Sequence, residues 1–333
     1  MPDGNSLILS GFNLPHYFLW RVSANSAGAP ERIEMPGAEA LWPSISRVGE
    51  RLAFSRSILQ ADIFKWEKGG KANAFLSSTA RDTSPQFSGD GKRIAFLSAR
   101  GGGAIDIWVA ESDGSRLLQL TRTKSGGKGA PAWAPDNQSI AFVSSIKAGE
   151  SHVWTMNATG GMQKQLTTEP AGRENATWSR DGKWVYFASD RSGRLELWRV
   201  AAQGGPEQQF TSSGAKMGME SADGKTIYYM KSNDGNEGIF ARPVAGGQEQ
   251  LLINDPIVRL SFAVLAEGIY YITPRDENRC DLRLYEFATG QKRFITEIER
   301  PVAFGLSVSP DRKTFLFSRH VTGSDLMMVE NFR

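Results

Sequence analysis

The sequence predicts an all-β fold, a propeller built of four-stranded antiparallel blades, and three observations carry that prediction. A short line of residues recurs along the chain, it recurs with a period of about 44 residues, and each period holds short β-rich runs without sustained helical spacing. The clearest copies are Pro85-Gln86-Phe87-Ser88-Gly89-Asp90-Gly91-Lys92-Arg93-Ile94-Ala95-Phe96, the stretch Pro131 to Phe142, and the stretch Ala176 to Phe187. With the Asp of Asp-Gly as anchor, weaker copies fall at Asp223 and Asp311, and degenerate ones at Asp3, Val48 and Glu267. The anchors 3, 48, 90, 136, 181, 223, 267 and 311 are separated by 45, 42, 46, 45, 42, 44 and 44 residues.

Within one unit the runs Arg93 to Leu97, Asp106 to Ala110, Leu117 to Thr121 and Ala130 to Trp133 read as four strands. Ile94-Ala95-Phe96 and Ile140-Ala141-Phe142 are continuous apolar runs, as strands covered on both faces should be. Asp-Gly between two such runs is a hairpin signal, because glycine accepts positive φ without steric cost. One sheet of this kind cannot bury both its faces, whereas a ring of stacked sheets can. Eight anchors predict eight blades in a single domain spanning 1–333. The terminal blades are incomplete, since Met1-Pro2-Asp3-Gly4 begins inside the motif and little follows Asp325 to Val329. Seven closed blades with a leftover N-terminal segment are the alternative.

Composition narrows the function classes. The chain of 333 residues has 40% hydrophobic and 23% charged residues, ordinary globular values, and a formal net charge of only +3. So small an excess does not announce a nucleic-acid surface, and no direct nucleic-acid binding is expected. A single cysteine, Cys280, excludes an intramolecular disulfide framework and a cysteine-clustered zinc site. No apolar run reaches 18 residues, and the first residues carry neither a basic nor an apolar leader segment, so the expectation is a soluble segment without a membrane span.

The line Pro-x-Trp-Ser-x-Asp-Gly-Lys-x-Ile-x-Phe, followed by Ser-x-Arg and Ile-Trp, resembles the WD40-like repeat of TolB-type propellers, also present in the propellers of prolyl-oligopeptidase-type peptidases. The resemblance covers essentially the whole chain and implies a propeller; it implies little about activity, because propellers host many. The ending Ser324 to Arg333 is similar to the C-terminus of bacterial regulators that join a winged-helix domain, a membrane segment and a propeller. That resemblance implies a transcription-regulatory context and an extracytoplasmic, periplasmic propeller. TolB-like periplasmic scaffolds and peptidase-gating propellers are the alternatives.

No catalytic residues, cofactor or metal ligands are expected. The Gly-x-Ser-x-Gly nucleophile elbow of a peptidase domain does not occur. The three histidines, His16, His152 and His320, sit at strand ends of different units and read as surface residues; a histidine-lined metal centre like that of propeller lyases is the competing reading. Two basic series keep register with the units. An outer series, Arg56, Arg100, Lys147, Arg191, Lys231, Arg275 and Arg319, follows the second strands and reads as cations paired with neighbouring carboxylates. A mouth series, Arg81, Lys128, Arg173, Lys216, Arg259 and Arg300, precedes the innermost strands. Propeller topology puts it at the channel mouth, where it would bind an acidic protein partner, an anionic small ligand or a glycan. Trp108, Trp154 and Trp198 on third strands, and Trp133 and Trp178 on inner strands, read as packing between blades. The expected function is therefore a non-catalytic binding or scaffold propeller.

Overall fold

The computed structural model describes residues 4–13, 16–26, 28–34, 40–48, 50–102, 104–123, 127–147, 149–231, 238–299 and 301–332. Strands are its only regular elements among those residues, all paired antiparallel. By internal packing the chain divides into two compact units, one of residues 1–60 with 321–333 and one of residues 61–320.

The larger unit is a ring of six four-stranded sheets. Sheets 1 to 5 begin with the strands Asp82–Phe87, Ala132–Trp133, Arg173–Trp178, Met217–Glu220 and Phe262–Val264, and each takes its four strands consecutively from the chain. Sheet 6 is assembled from both ends of the unit. Val302–Val308 pairs with residues 314–320, and residues 61–67 pair with Asn73–Leu76; the two pairs meet through the Lys68 amide, which donates to the Lys313 carbonyl at 3.0 Å. Phe64 stacks on Phe317 and Trp66 packs on Phe315 across the same seam.

Six apolar clusters occupy the six interfaces between neighbouring sheets, which is how the ring closes. Leu97, Ile107 and Val109 of sheet 1 face Ile140 and Phe142 of sheet 2, and Val143 and Val153 of sheet 2 face Val185 and Phe187 of sheet 3. Tyr186 and Leu197 meet Ile227 and Tyr229, then Tyr228 and Met230 meet Phe262 and Tyr271. The last two interfaces bring Tyr270 and Leu282 to Leu306 and Phe315, and Ile63 and Leu316 to Phe87 and Ile94. One fully buried aromatic recurs on each second strand, namely Phe96, Phe142, Phe187, Tyr229, Tyr271 and Phe317. The period legible in the sequence is thus the spacing of these rings. Trp108, Trp154 and Trp198 lie in the same clusters, packed against the preceding sheet.

The Asp-Gly motif makes the turn between first and second strands. In sheet 1, Ser88 Oγ donates to Asp90 at 2.6 Å, Asp90 accepts the Lys92 amide at 3.1 Å, and Gly91 takes φ +71°. The same hydroxyl–carboxylate–amide set recurs at Ser179/Asp181/Lys183, Ser221/Asp223/Lys225 and Ser309/Asp311/Lys313. The anchors 90, 136, 181, 223, 267 and 311 all belong to this ring.

Anchor 48 falls in the smaller unit, and Asp3 and Gly49 lie outside the described residues. That unit holds an antiparallel sheet of Ser6–Asn13, His16–Ser23 and Glu31–Ile33, together with Ala40–Ile45 paired to the first half of the strand Leu52–Glu67. Leu19, Ala40, Leu52 and Phe54 form its core, joined by Met327 and Val329 from residues 321–332.

Candidate functional site

The inner strands of the six sheets line a channel. Most do not run straight through it. Ser84, Asn175, Leu260 and Gly305 take positive φ of 54°, 54°, 57° and 85°, and at three of these points the pairing register slips, so the strand bulges toward the axis. All four residues line a narrow throat of about 60 Å³. At Gly305 a Cβ would stand 3.1 Å from Ser84 Cα, so only glycine permits this approach of sheet 6 to sheet 1. Toward the Asp-Gly turns the channel opens into a cavity of about 460 Å³ lined by Trp133, Trp178, Arg180, Glu220 and Glu267 among others.

Polar groups of the channel wall tie sheet to sheet. Trp133 Nε1 donates to the Gln86 carbonyl and Trp178 Nε1 to the Ala132 carbonyl, each at 3.1 Å. Thr177 Oγ1 donates to the Gly218 carbonyl at 2.6 Å, Asn175 Nδ2 to the Lys216 carbonyl at 3.1 Å, and the Phe87 amide to Ser307 Oγ at 2.9 Å. Arg180 reaches across the wide end, Nη2 donating to the Val264 carbonyl at 3.0 Å, while its amide donates to Glu220 at 2.7 Å. Glu220 also accepts the Tyr186 hydroxyl at 2.7 Å, which together with burial holds that phenol well above its ordinary pKa. Tyr270, hydrogen-bonded to Glu267 at 3.0 Å, is pushed up to about 12, mainly by burial.

The outer basic series is paired throughout. Arg56 meets Asp325 at 2.6 Å, Arg100 meets Asp82 at 2.9 Å and Lys147 meets Glu150 at 2.9 Å. Arg191 pairs with Glu207, Lys231 with Glu249, Arg275 with Glu297 at 2.8 Å and Arg319 with Glu299 at 2.9 Å. Several also lie over aromatic rings, Arg191 over Trp198 at 4.4 Å being the nearest to an indole.

The mouth series behaves differently, and its members part company. Arg81 and Arg259 both lie over the Phe304 ring, each guanidinium carbon 5.5 Å from the ring centroid, and Phe304 lines the throat. Arg259 is 57% exposed; its nearest carboxylate is Glu174, at 3.9 Å. Lys216 is half-buried and meets no carboxylate among the described residues. Lys128 turns away, Nζ donating to Ser144 Oγ at 2.7 Å over the Phe142 ring, and burial depresses its pKa. Arg173 does not face the mouth at all. It is buried, with Nη2 on both oxygens of Glu207 at 3.0 and 3.1 Å and Nη1 on the Ser151 carbonyl at 2.7 Å, so it cross-links the fold. Arg300 lies outside the described residues.

Two mouth residues escaped the basic-series reading. Phe304 interrupts the repeat pattern, and His320 joins it in an edge-to-face contact with centroids 6.4 Å apart. Burial and the nearby Arg81 charge hold the His320 pKa below its ordinary value. His152 is buried between Glu150 at 3.4 Å and Thr167 at 3.5 Å, not solvated as its strand-end position suggests. The side chain of His16 lies outside what is described. No three His, Cys, Asp or Glu side chains among the described residues are grouped to hold a metal ion.

A closed ring of four-stranded sheets around a channel, stitched by Ser-x-Asp-Gly turns, defines a β-propeller. A family model described as the TolB beta propeller domain, PD40, matches residues 84–258, and the chain belongs to that family. No curated protein matches the sequence. Among solved structures it is similar to the putative TolB of Agrobacterium tumefaciens, with TM-score 0.64 and 18% identity over 79% of this chain and 98% of that one. It is also similar to TolB of Acinetobacter baumannii, with TM-score 0.56 and 18% identity over 96% and 81% of the two chains. A chain of a nidogen/laminin complex matches with TM-score 0.58 and 10% identity over 74% of this chain and 97% of that one. At such identities the likeness is one of fold.

Proposed function

We propose that this chain is a non-catalytic binding propeller that receives an anionic group, from a protein partner or a small ligand, at the channel mouth. The observation that supports the reading is the contrast between the two basic series. The outer cations are each held against a carboxylate, whereas Arg259 at the mouth is 57% exposed beside the Phe304 ring, with Glu174 at 3.9 Å as its nearest acid. Guanidiniums held at a concave rim favour a carboxylate through charge-assisted hydrogen bonds and focus its approach. The TolB-like fold suits a scaffold role in an extracytoplasmic, periplasmic setting, and the likeness of the ending Ser324 to Arg333 to bacterial regulators is what supports a place within a larger signalling or transcription-regulatory protein. The nidogen/laminin likeness is consistent with a protein partner.

The test is isothermal titration calorimetry of the full chain with an acidic hexapeptide and with digalacturonate, repeated on Arg81→Gln/Arg259→Gln. The expected result is binding to the parent chain with at least tenfold loss in the double variant and a steep fall with added salt. Equal affinity for parent and variant, or no binding by either probe or by any other anion, would remove the mouth from consideration.

A further inference from the structure

The six turns between first and second strands ring the wide end of the channel. The residue just before each anchor acid, namely Gly89, Pro135, Arg180, Ala222, Ala266 and Pro310, lines the cavity of about 460 Å³ there. Five of the six are short, which keeps the opening clear. The sixth, in sheet 3, is an arginine. Its side-chain bonds go to main-chain carbonyls only, Nε to Glu220 at 3.3 Å and Nη2 to Val264 at 3.0 Å. Among the described residues Nη1 bonds nothing and the guanidinium enters no ion pair. The side chain is open to the cavity, yet the walls crowd it enough that desolvation lowers its pKa, an effect Glu220 offsets in part.

The rest of the wall offers little to bond. Glu220 already accepts the Arg180 amide and the Tyr186 hydroxyl, and Glu267 accepts the Tyr270 hydroxyl with Arg312 3.7 Å away. Trp133 and Trp178 have their indole N–H groups on main-chain carbonyls, so they offer a guest carbon surface alone. A polyhydroxylated ligand would lose bonds to water that these walls do not replace. A flat hydrocarbon ring loses none and gains contact with the indoles. A guanidinium with a free nitrogen favours a carboxylate through charge-assisted hydrogen bonds, while the wall acids Glu220 and Glu267 oppose a second negative charge. The geometry points to a second binding site at the wide end, for a small aromatic monocarboxylate whose acid group meets Arg180 and whose ring lies among Trp133, Trp178 and the turn prolines. This site does not depend on the mouth, which lies beyond the throat.

Titration calorimetry of the full chain with acetate, benzoate, 2-naphthoate and glucuronate tests this directly. Affinity should rise from acetate to benzoate to 2-naphthoate as more ring is buried, and glucuronate, a ring acid covered in hydroxyls, should bind at least tenfold more weakly than benzoate. Arg180→Ala, which matches Ala222 and Ala266, should weaken 2-naphthoate at least tenfold and leave the neutral 2-naphthylmethanol unchanged; a thermal melt establishes that the variant folds. Arg81→Gln/Arg259→Gln should bind 2-naphthoate as the parent chain does. If acetate or glucuronate matches 2-naphthoate, the aromatic class is overturned. If Arg180→Ala binds 2-naphthoate as tightly as the parent, or Arg81→Gln/Arg259→Gln loses it, the acid sits elsewhere and the wide-end site falls, while the anionic reading of the mouth keeps its own test. Absence of 2-naphthoate binding to the parent chain overturns the inference outright.

Discussion

Arg173 and Arg259 occupy equivalent places in the repeat and have opposite fates. The acid that claims Arg173 is Glu207, delivered 34 residues later and shared with Arg191. Adjacent acids such as Glu174 are legible in the sequence beside the cations; Glu207 is not, because only the folding of sheet 3 brings it back. Burial disfavours the Arg173 charge and lowers its pKa, and the Glu207 carboxylate offsets part of that effect. Arg173→Ala would therefore strand Glu207 in the interior and is expected to cost about 3–5 kcal/mol in urea denaturation. Arg259→Ala, half-exposed beside Glu174, should cost about 0–1 kcal/mol. At His320 the depressed pKa means that the neutral ring is the one the fold accommodates. Its contribution is complete above its unfolded pKa, near 6.5, and is lost as pH falls through the lower folded value. A carboxylate at the rim should raise that pKa, and an NMR titration of the imidazole with and without the acidic hexapeptide reads the change.

At the scale of the element, the Ser-x-Asp-Gly turn was the most legible feature because it is local. Its hydroxyl–carboxylate–amide bonds all lie within five residues, and the positive φ falls to glycine at Gly91, Gly182 and Gly224 and to Arg312 in the Asp311 turn. Ser179→Ala removes the hydroxyl that bonds Asp181 and the Trp184 amide and should lower stability by about 1 kcal/mol. Four of these aspartates, Asp90, Asp181, Asp223 and Asp311, are held below the ordinary carboxylate pKa by the hydroxyl and amide bonds they accept. Their support is fully present above their unfolded pKa, about 3.9, and disappears as pH falls through the folded values, so acid unfolding should steepen below about pH 4. A melting series from pH 6 to pH 2, compared with a chain carrying Asp→Asn at all four turns, checks the sign. The inner-strand bulges were not legible. Ser84, Asn175, Leu260 and Gly305 share a conformation without sharing a residue type, since the ring imposes it.

For the molecule as a whole, the six buried aromatics make each sheet depend on its neighbours. Phe142→Ala should cost about 3–5 kcal/mol and lower the single melting transition of the ring, since its ring bridges sheets 1 and 2. Differential scanning calorimetry distinguishes this from local fraying. The all-β class and the sheet spacing were readable because alternation and period repeat many times. Which strands combine at the ring's seam was not, because residues 61–76 and 302–320 carry no mark of their pairing and meet only when the ring shuts.

That seam governs the order of events at the ribosome. Residues 61–76 emerge early and pair only with one another until residues 302–320, the other half of their sheet, have been made. Throughout that interval sheets 1 to 5 form an open arc whose two end faces, Phe87 and Ile94 on one side, Tyr270 and Leu282 on the other, look into solvent. Such an arc invites a second arc to complete it, so crowded polysomes favour chains that exchange their closing segments, and holdase chaperones that shield apolar β faces would set the yield of monomer.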